Sequence, residues 1–199
     1  MSDFSGVKKN LERRGYAVSA FATAAEAAAY LDGAIDGTAV GFGGSGTLKA
    51  LGLYERLGKH NTVVWHWGSA DPNAARREAM GTEIYLTSAN ALAETGEIVN
   101  IDGTGNRTAS TLYGHRKVYF VIGSNKLAPT YADAVYRARN VAAPARAREL
   151  GAKTPCALRG DRCYDCQSPG RICRGMVTLW GPMNGAEAEV VLVDEPLGS

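Results

Sequence analysis

The stretch KVYFVI, residues 117–122, constrains the fold more than any other. As an extended chain it is apolar on both faces and rich in β-branched and aromatic side chains, so as a strand it needs cover above and below. That places it centrally in a sheet sandwiched between helices. Residues 16–21, 38–42, 62–65 and 83–86 are further strand candidates, with helical stretches between them. The expected architecture is therefore α/β, an open and mostly parallel sheet flanked by helices. At 199 residues and 45% hydrophobic, the chain reads as one domain over 1–199 that can bury its own core.

The helices carry their own punctuation. Residues 4–14 space Val7 and Leu11 four apart and stop at Gly15. Thr23 and Glu26 have capping-box spacing at the start of TAAEAAAYL, which runs to Gly33. Asp71 followed by Pro72 is a cap and a first-turn proline, so 73–80 should be helical. Residues 133–142 form another helix, and Pro144 starts or kinks the next. EIVNID alternates as a strand, and IDGTGNR after it has the character of a hairpin turn. Residues 176–180 and 189–193 are two strands that flank the turn GPMNGAE and close the domain.

Two stretches can carry chemistry. The first is residues 155–174, a loop holding all four cysteines in the spacing C-x6-C-x2-C-x6-C: Cys156, Cys163, Cys166 and Cys173. Thiolates are soft ligands able to converge on an iron–sulfur cluster or a zinc ion, and the x2 step lets two sulfurs face one point. Long outer arms favour a 4Fe-4S cluster, since compact zinc sites show two short knuckles; zinc stays the alternative. Disulfides suit small exported domains and not a chain of this size. A redox pair at Cys163 and Cys166 would leave Cys156 and Cys173 unexplained.

The second is the passage from residues 38–42 into Gly43-Gly44-Ser45-Gly46 and the helix TLKALGLYERL. Successive N–H groups at such a turn suit a phosphate, carboxylate or oxyanion. Gly41, Gly43 and Gly46 formally satisfy G-x-G-x-x-G, but the next strand ends in His66-Trp67 where a ribose-binding acid would stand. A Walker loop fails because Thr47, not lysine, follows Gly46. Residues 88–107 then concentrate polar groups, among them Ser88, Asn90, Asn100, Asp102 and Arg107. Glu94 stands out as a lone carboxylate in the apolar segment ALAETG. Lys126 follows the central strand at the end where ligands of α/β sheets collect, which makes it an anion contact. Of the scattered His60, His66 and His115, His66 is the one placed to line a pocket.

The net charge of +2 is too mild for nucleic acid. Arg137, Arg139, Arg146 and Arg148 form the one local excess, either a solvated helix face or a cationic rim for a carboxylate. No secretory pattern and no apolar run long enough for a membrane span occurs, so a cytoplasmic protein with reduced thiols is expected.

The motifs GFGGSGTLKALGL, LTSANALAETGEIVNIDGTGNR, VIGSNKL, RARNVAAP and the cysteine block together resemble the LUD-domain family of lactate-utilisation proteins, in that family's order from Gly41 onward. The resemblance implies a fold like that of sugar-phosphate isomerases and CoA transferases. It also implies a part in oxidation of L-lactate or a related 2-hydroxy acid beside iron–sulfur partner subunits, with a homo-oligomer also open. By position, Gly43 to Thr47 would be the anion-binding turn and Glu94 would fall near the catalytic glutamate region of CoA transferases. The cysteine quartet is similar to that of a subset of the family. Three functions follow as expectations. One is a metalloprotein of hydroxy-acid metabolism with Arg107 or Lys126 on the substrate carboxylate and Glu94 or His66 as base. Another is a transferase or isomerase with Glu94 catalytic and a structural zinc. The third is a non-catalytic subunit of a lactate-oxidising complex.

Overall fold

The computed structural model describes residues 4–199. Helix α1 (Ser5–Arg13) buries Val7 and Leu11 and leads through Gly15 to β1 (Ala17–Phe21). Helix α2 (Ala24–Ala34) opens on the expected capping box: the Glu26 N–H donates to the Thr23 hydroxyl at 3.2 Å, and the Thr23 N–H donates back to the Glu26 carboxylate at 3.0 Å. After β2 (Ala39–Phe42) the expected single helix is split into α3 (Gly46–Ala50) and α4 (Leu53–Leu57). Gly52 between them is left-handed at φ 61°, which ends one helix and turns the next. Then come β3 (Thr62–Trp65), α5 (Pro72–Ala79) capped by Asp71, β4 (Ile84–Thr87), β5 (Ala91–Ala93), β6 (Ile98–Asp102) and α6 (Asn106–Leu112). The remainder is β7 (Lys117–Gly123), β8 (Leu127–Ala128), α7 (Tyr131–Arg137), α8 (Ala143–Glu149), α9 (Pro155–Arg159), β9 (Gly175–Leu179) and β10 (Glu187–Val193).

Six strands form an all-parallel sheet in the order β1-β10-β7-β4-β2-β3. β7 lies inside it, buried from Val118 onward as its two apolar faces require. Its alternate residues serve different cores. Phe120 and Ile122 join Val190 and Leu192 under α1 and α5, whereas Tyr119 and Val121 join Val191 and Val193 under α2, α3 and α4. A second sheet, ordered β8-β5-β6-β9, mixes one parallel pair with two antiparallel ones. It packs Ala91, Ala93 and Val99 against Ala134 and Ala138, on and just after α7.

A further local expectation is corrected. Residues 101–107 are not a hairpin turn, because the Asp102 carboxylate accepts the Thr108 N–H at 3.0 Å and so caps α6. The strands β9 and β10 form on either side of the turn as expected and belong to different sheets: β9 pairs with β6 in the small sheet and β10 enters the large one. Pro144 stands in the first turn of α8, one of the two outcomes expected of it. Between α7 and α8 the chain widens into a π-helical stretch, Ala138–Ala142, where the Ala143 N–H reaches back to the Ala138 carbonyl. A proline ring clashes with the carbonyl four residues earlier and offers it no donor, and the wider turn absorbs both defects.

Candidate functional site

A cavity of about 450 Å³ opens at the C-terminal ends of β2, β3, β4 and β7, where parallel sheets collect their ligands. Gly44, Ser45 and Gly46 line it from the turn after β2, His66 and Trp67 from the end of β3, Ser88 to Asn90 from β4, and Lys126 from the turn after β7. Gly44 lies close against the His66 ring, where a Cβ would stand 3.3 Å from both Cε1 and Nε2 and would press on the imidazole.

Lys126 is 3% exposed. Its Nζ donates to Thr47 Oγ1 and Ser88 Oγ, both at 3.0 Å, and these partners are hydroxyls, not carboxylates. Burial, then the nearby Arg137 and Arg107 guanidinium groups, push its pKa down to about 7, with Glu149 opposing weakly. Arg107, at the opening of α6, is held by neutral acceptors: the Ser88 carbonyl at 3.3 Å, Asn90 Oδ1 at 3.0 Å, the Ile101 carbonyl at 2.8 Å and Asn100 Oδ1. Burial lowers its pKa, with Asp102 acting against that. A guanidinium saturated by neutral groups keeps its charge uncompensated.

His66 carries a buried Nδ1 without a partner. Burial, then Arg76 and Arg146, lower its pKa, so the ring is neutral near pH 7. Arg146 lies over the Trp67 ring at 4.9 Å and pairs with Glu149 at 2.8 Å. Five basic side chains, Arg76, Arg107, Lys126, Arg146 and Arg171, thus line the cavity against two acidic side chains, Asp102 and Glu149. One of those carboxylates already caps a helix. Such a lining selects an anion.

A second cavity, of about 240 Å³, is lined by Cys156, Cys163, Cys166 and Cys173 together. It shares Ile101, Ala143, Arg171 and Ile172 with the first, so one wall separates the two. All four thiols are free and partly buried. Asp165, left-handed at φ 47°, directs its N–H to Cys163 Sγ at 3.3 Å, and Thr154 Oγ1 stands 3.3 Å from Cys156 Sγ. Arg171 donates to the Cys166 and Cys173 carbonyls at 3.0 Å and reaches Cys173 Sγ at 3.6 Å. The sulfurs share a cavity without meeting at one point: among the described residues no three His, Cys, Asp or Glu side chains stand in position to hold a metal ion. The loop beyond α9 has no strand or helix of its own before β9 and is tied to the fold by further polar bonds, among them Cys163 N–H to Asn140 Oδ1 at 3.2 Å, Arg139 to Asp165 at 3.2 Å and Arg174 N–H to the Asp102 carbonyl at 2.9 Å.

The other sequence-selected residues fall in different places. Gly43 extends the sheet, its N–H on the Leu86 carbonyl at 2.9 Å and its own carbonyl accepting from Trp65 Nε1 at 3.1 Å. Thr47 faces the site by holding Lys126, and Asn90 orients Arg107. Glu94 stands apart from this group. It is exposed on the turn between β5 and β6, with its N–H on the Ala128 carbonyl and its own carbonyl on Asn10 of α1. Arg76, Trp67 and Arg171 escaped the sequence reading; only Arg171 had a signal, its position between two of the cysteines.

The LUD domain model matches residues 5–193. The chain belongs to the LUD domain family. The crystal structure of a DUF162 family protein from Deinococcus radiodurans is similar in fold, with a TM-score of 0.55 at 15% identity over 97% of this LUD domain and 99% of the other chain. No curated protein matches it. Among the described residues, no helix of this LUD domain is long and apolar enough to cross a membrane.

Proposed function

We propose that this LUD domain binds a small 2-hydroxy carboxylate, such as L-lactate, in the larger cavity and an iron–sulfur cluster on Cys156, Cys163, Cys166 and Cys173 in the smaller one. The observation that carries this reading is the common wall: an anion-selective cavity and a cavity lined by four free thiols share Arg171 and three other residues. The donor set suits the group, and contacts such as Asp165 N–H to Cys163 Sγ are of the kind that stabilise ligating thiolates. When bound, a cluster of this type supplies a one-electron acceptor.

The chain's own residues have separate tasks. Arg107 supplies the positive charge that a carboxylate needs, and Lys126 adds to it in its protonated fraction. Neutral His66, which lines the cavity at the end of β3, accepts the proton of the substrate hydroxyl. Ile101 and Ile172 give the shared wall an apolar surface on both sides. Oxidation of a 2-hydroxy acid to a 2-oxo acid releases two electrons and two protons, so a two-electron acceptor on a partner subunit would have to take the C2 hydrogen together with the electron pair.

Anaerobic purification with iron, sulfide and zinc analysis tests the cluster. Brown protein with stoichiometric iron and sulfide, bleached by Cys163→Ser, is the expected result. Colourless protein with one tight zinc would instead support a structural metal. Calorimetric titration with L-lactate tests the cavity separately.

A further inference from the structure

We propose that Lys126 is a Schiff-base lysine, whose amine condenses with the C2 carbonyl of a 2-oxo acid held in the larger cavity. This rests on the reading of that cavity as a small-carboxylate site, since a 2-oxo acid is what two-electron oxidation of a 2-hydroxy acid leaves.

The strand β7 carries a lysine at its start and is followed by another just beyond its end, and the contrast between them is the main observation. Lys117 donates to the Glu189 carboxylate at 2.9 Å, and although burial opposes it, that bond keeps its pKa raised. Such a lysine is a structural cation. Lys126 is buried more deeply yet bonds only to the hydroxyls of Thr47 and Ser88. Its pKa of about 7 leaves a large share of the amine unprotonated at neutral pH, which is the nucleophilic form. Two cations beside it, Arg107 and Arg137, act as neighbouring charge does in other activated lysines. Arg107 and Lys126 also share a partner: the Ser88 carbonyl accepts from Arg107 and the Ser88 hydroxyl accepts from Lys126. A carboxylate drawn to the Arg107 charge therefore brings its adjacent carbonyl carbon toward the amine.

The chemistry balances without an added reagent. The Nζ lone pair attacks C2 and forms the C–N bond while the carbonyl π pair moves onto oxygen. The Ser88 or Thr47 hydroxyl gives that oxygen a proton and recovers one from Nζ, which yields a carbinolamine. The nitrogen pair then forms C=N as the C–O bond breaks, and the second Nζ proton leaves with the hydroxide as water. Uptake of one solvent proton gives the iminium, whose charge the substrate carboxylate neutralises. The two hydroxyls are thereby assigned a role, proton transfer on either side of the amine, that a simple anion site would not need.

Purified protein incubated with pyruvate and sodium borohydride, followed by intact-mass measurement and peptide mapping, tests this directly. The expected result is one adduct on the peptide containing Lys126, heavier by the mass of the oxo acid less one oxygen atom. Lys117 and the exposed Lys49 and Lys59 should stay unmodified. Lys126→Arg should reduce trapping to background, and Ser88→Ala, which keeps the amine but removes one of the two proton-transferring hydroxyls, should slow it. Pyruvate binding by calorimetry without an adduct at Lys126 would overturn the Schiff base and leave the carboxylate site standing. Adducts spread over surface lysines would overturn it equally. Absence of both binding and adduct would sink the carboxylate site as well.

Discussion

Replacing Lys126 with methionine should make the protein's stability respond to pH in a direction set by burial. Methionine keeps the length and removes the charge, and Ser88 Oγ can still donate to Thr47 Oγ1, 3.3 Å away, so few polar atoms are orphaned. In the unfolded chain a lysine titrates near 10.5, but in the folded protein this one titrates near 7. Between those values the unfolded chain holds a proton that the native state has released, so wild-type stability rises with pH across that window. Below pH 7 both states are protonated and the cost of the buried charge is carried in full. Each pH unit in the window is worth about 1.4 kcal/mol, and the whole gap roughly 5 kcal/mol. Urea unfolding of both proteins, ligand-free, at about pH 6 and about pH 9 isolates this contribution, because all other groups cancel in the difference. The stability advantage of Lys126→Met should shrink by roughly 2–3 kcal/mol between the two conditions. A difference that is flat with pH, or that grows as pH rises, would refute the placement of an uncompensated amine in the cavity.

Three other substitutions probe separate parts of the molecule. Lys117→Met leaves the Glu189 carboxylate, 3% exposed, with only Tyr30 and Ser19 as side-chain donors, and should cost about 3 kcal/mol at neutral pH. Burial raises the Glu189 pKa, but hydrogen bonds from Tyr30, Lys117 and Ser19 outweigh it and hold the pKa below the ordinary 4.5. The Lys117→Met deficit should therefore narrow as pH falls through that range, which an acid titration of the urea midpoint would follow. Gly41→Ala places a Cβ 2.5 Å from the Ala79 carbonyl and 2.7 Å from Thr82 Oγ1, and a loss of about 3 kcal/mol in urea unfolding is expected. Arg107→Lys replaces a fork that meets four acceptors by a single ammonium, and calorimetry should show L-lactate affinity falling at least about tenfold, or roughly 1.4 kcal/mol.

What was legible in the sequence was whatever depends on neighbours along the chain. The apolar run of β7 announced a covered parallel sheet, Thr23 with Glu26 announced a capped helix, and Asp71-Pro72 announced another. The glycine turn was visible because three glycines in a row of four positions leave few other uses. What stayed hidden depends on tertiary partners. Asp102 looks like a turn residue until α6 appears for it to cap. Ala91 to Ala93 carry too little pattern to mark a strand, and β5 is defined by pairing with β6 and β8. The Lys126, Ser88 and Thr47 cluster joins three segments that no local spacing connects. Arg137 looked like part of a solvated face, yet its guanidinium is partly buried and bonded to the Asn90 and Asn125 carbonyls, which fixes the floor beneath the site. Glu94 drew notice by standing alone among apolar residues, and the apolar neighbours face inward while it faces solvent.

The position of β10 has a consequence for how this protein is made. Among the described residues β1 pairs in the large sheet with β10 alone, so this strand, once made, has no sheet partner until Glu187–Val193 has followed it off the ribosome. Everything between, including both cavities and the thiol loop, is synthesised while that edge is unfinished. Sheet closure is thus a late, long-range event, and the nascent chain must keep the apolar β1 edge from pairing with a neighbour's until then.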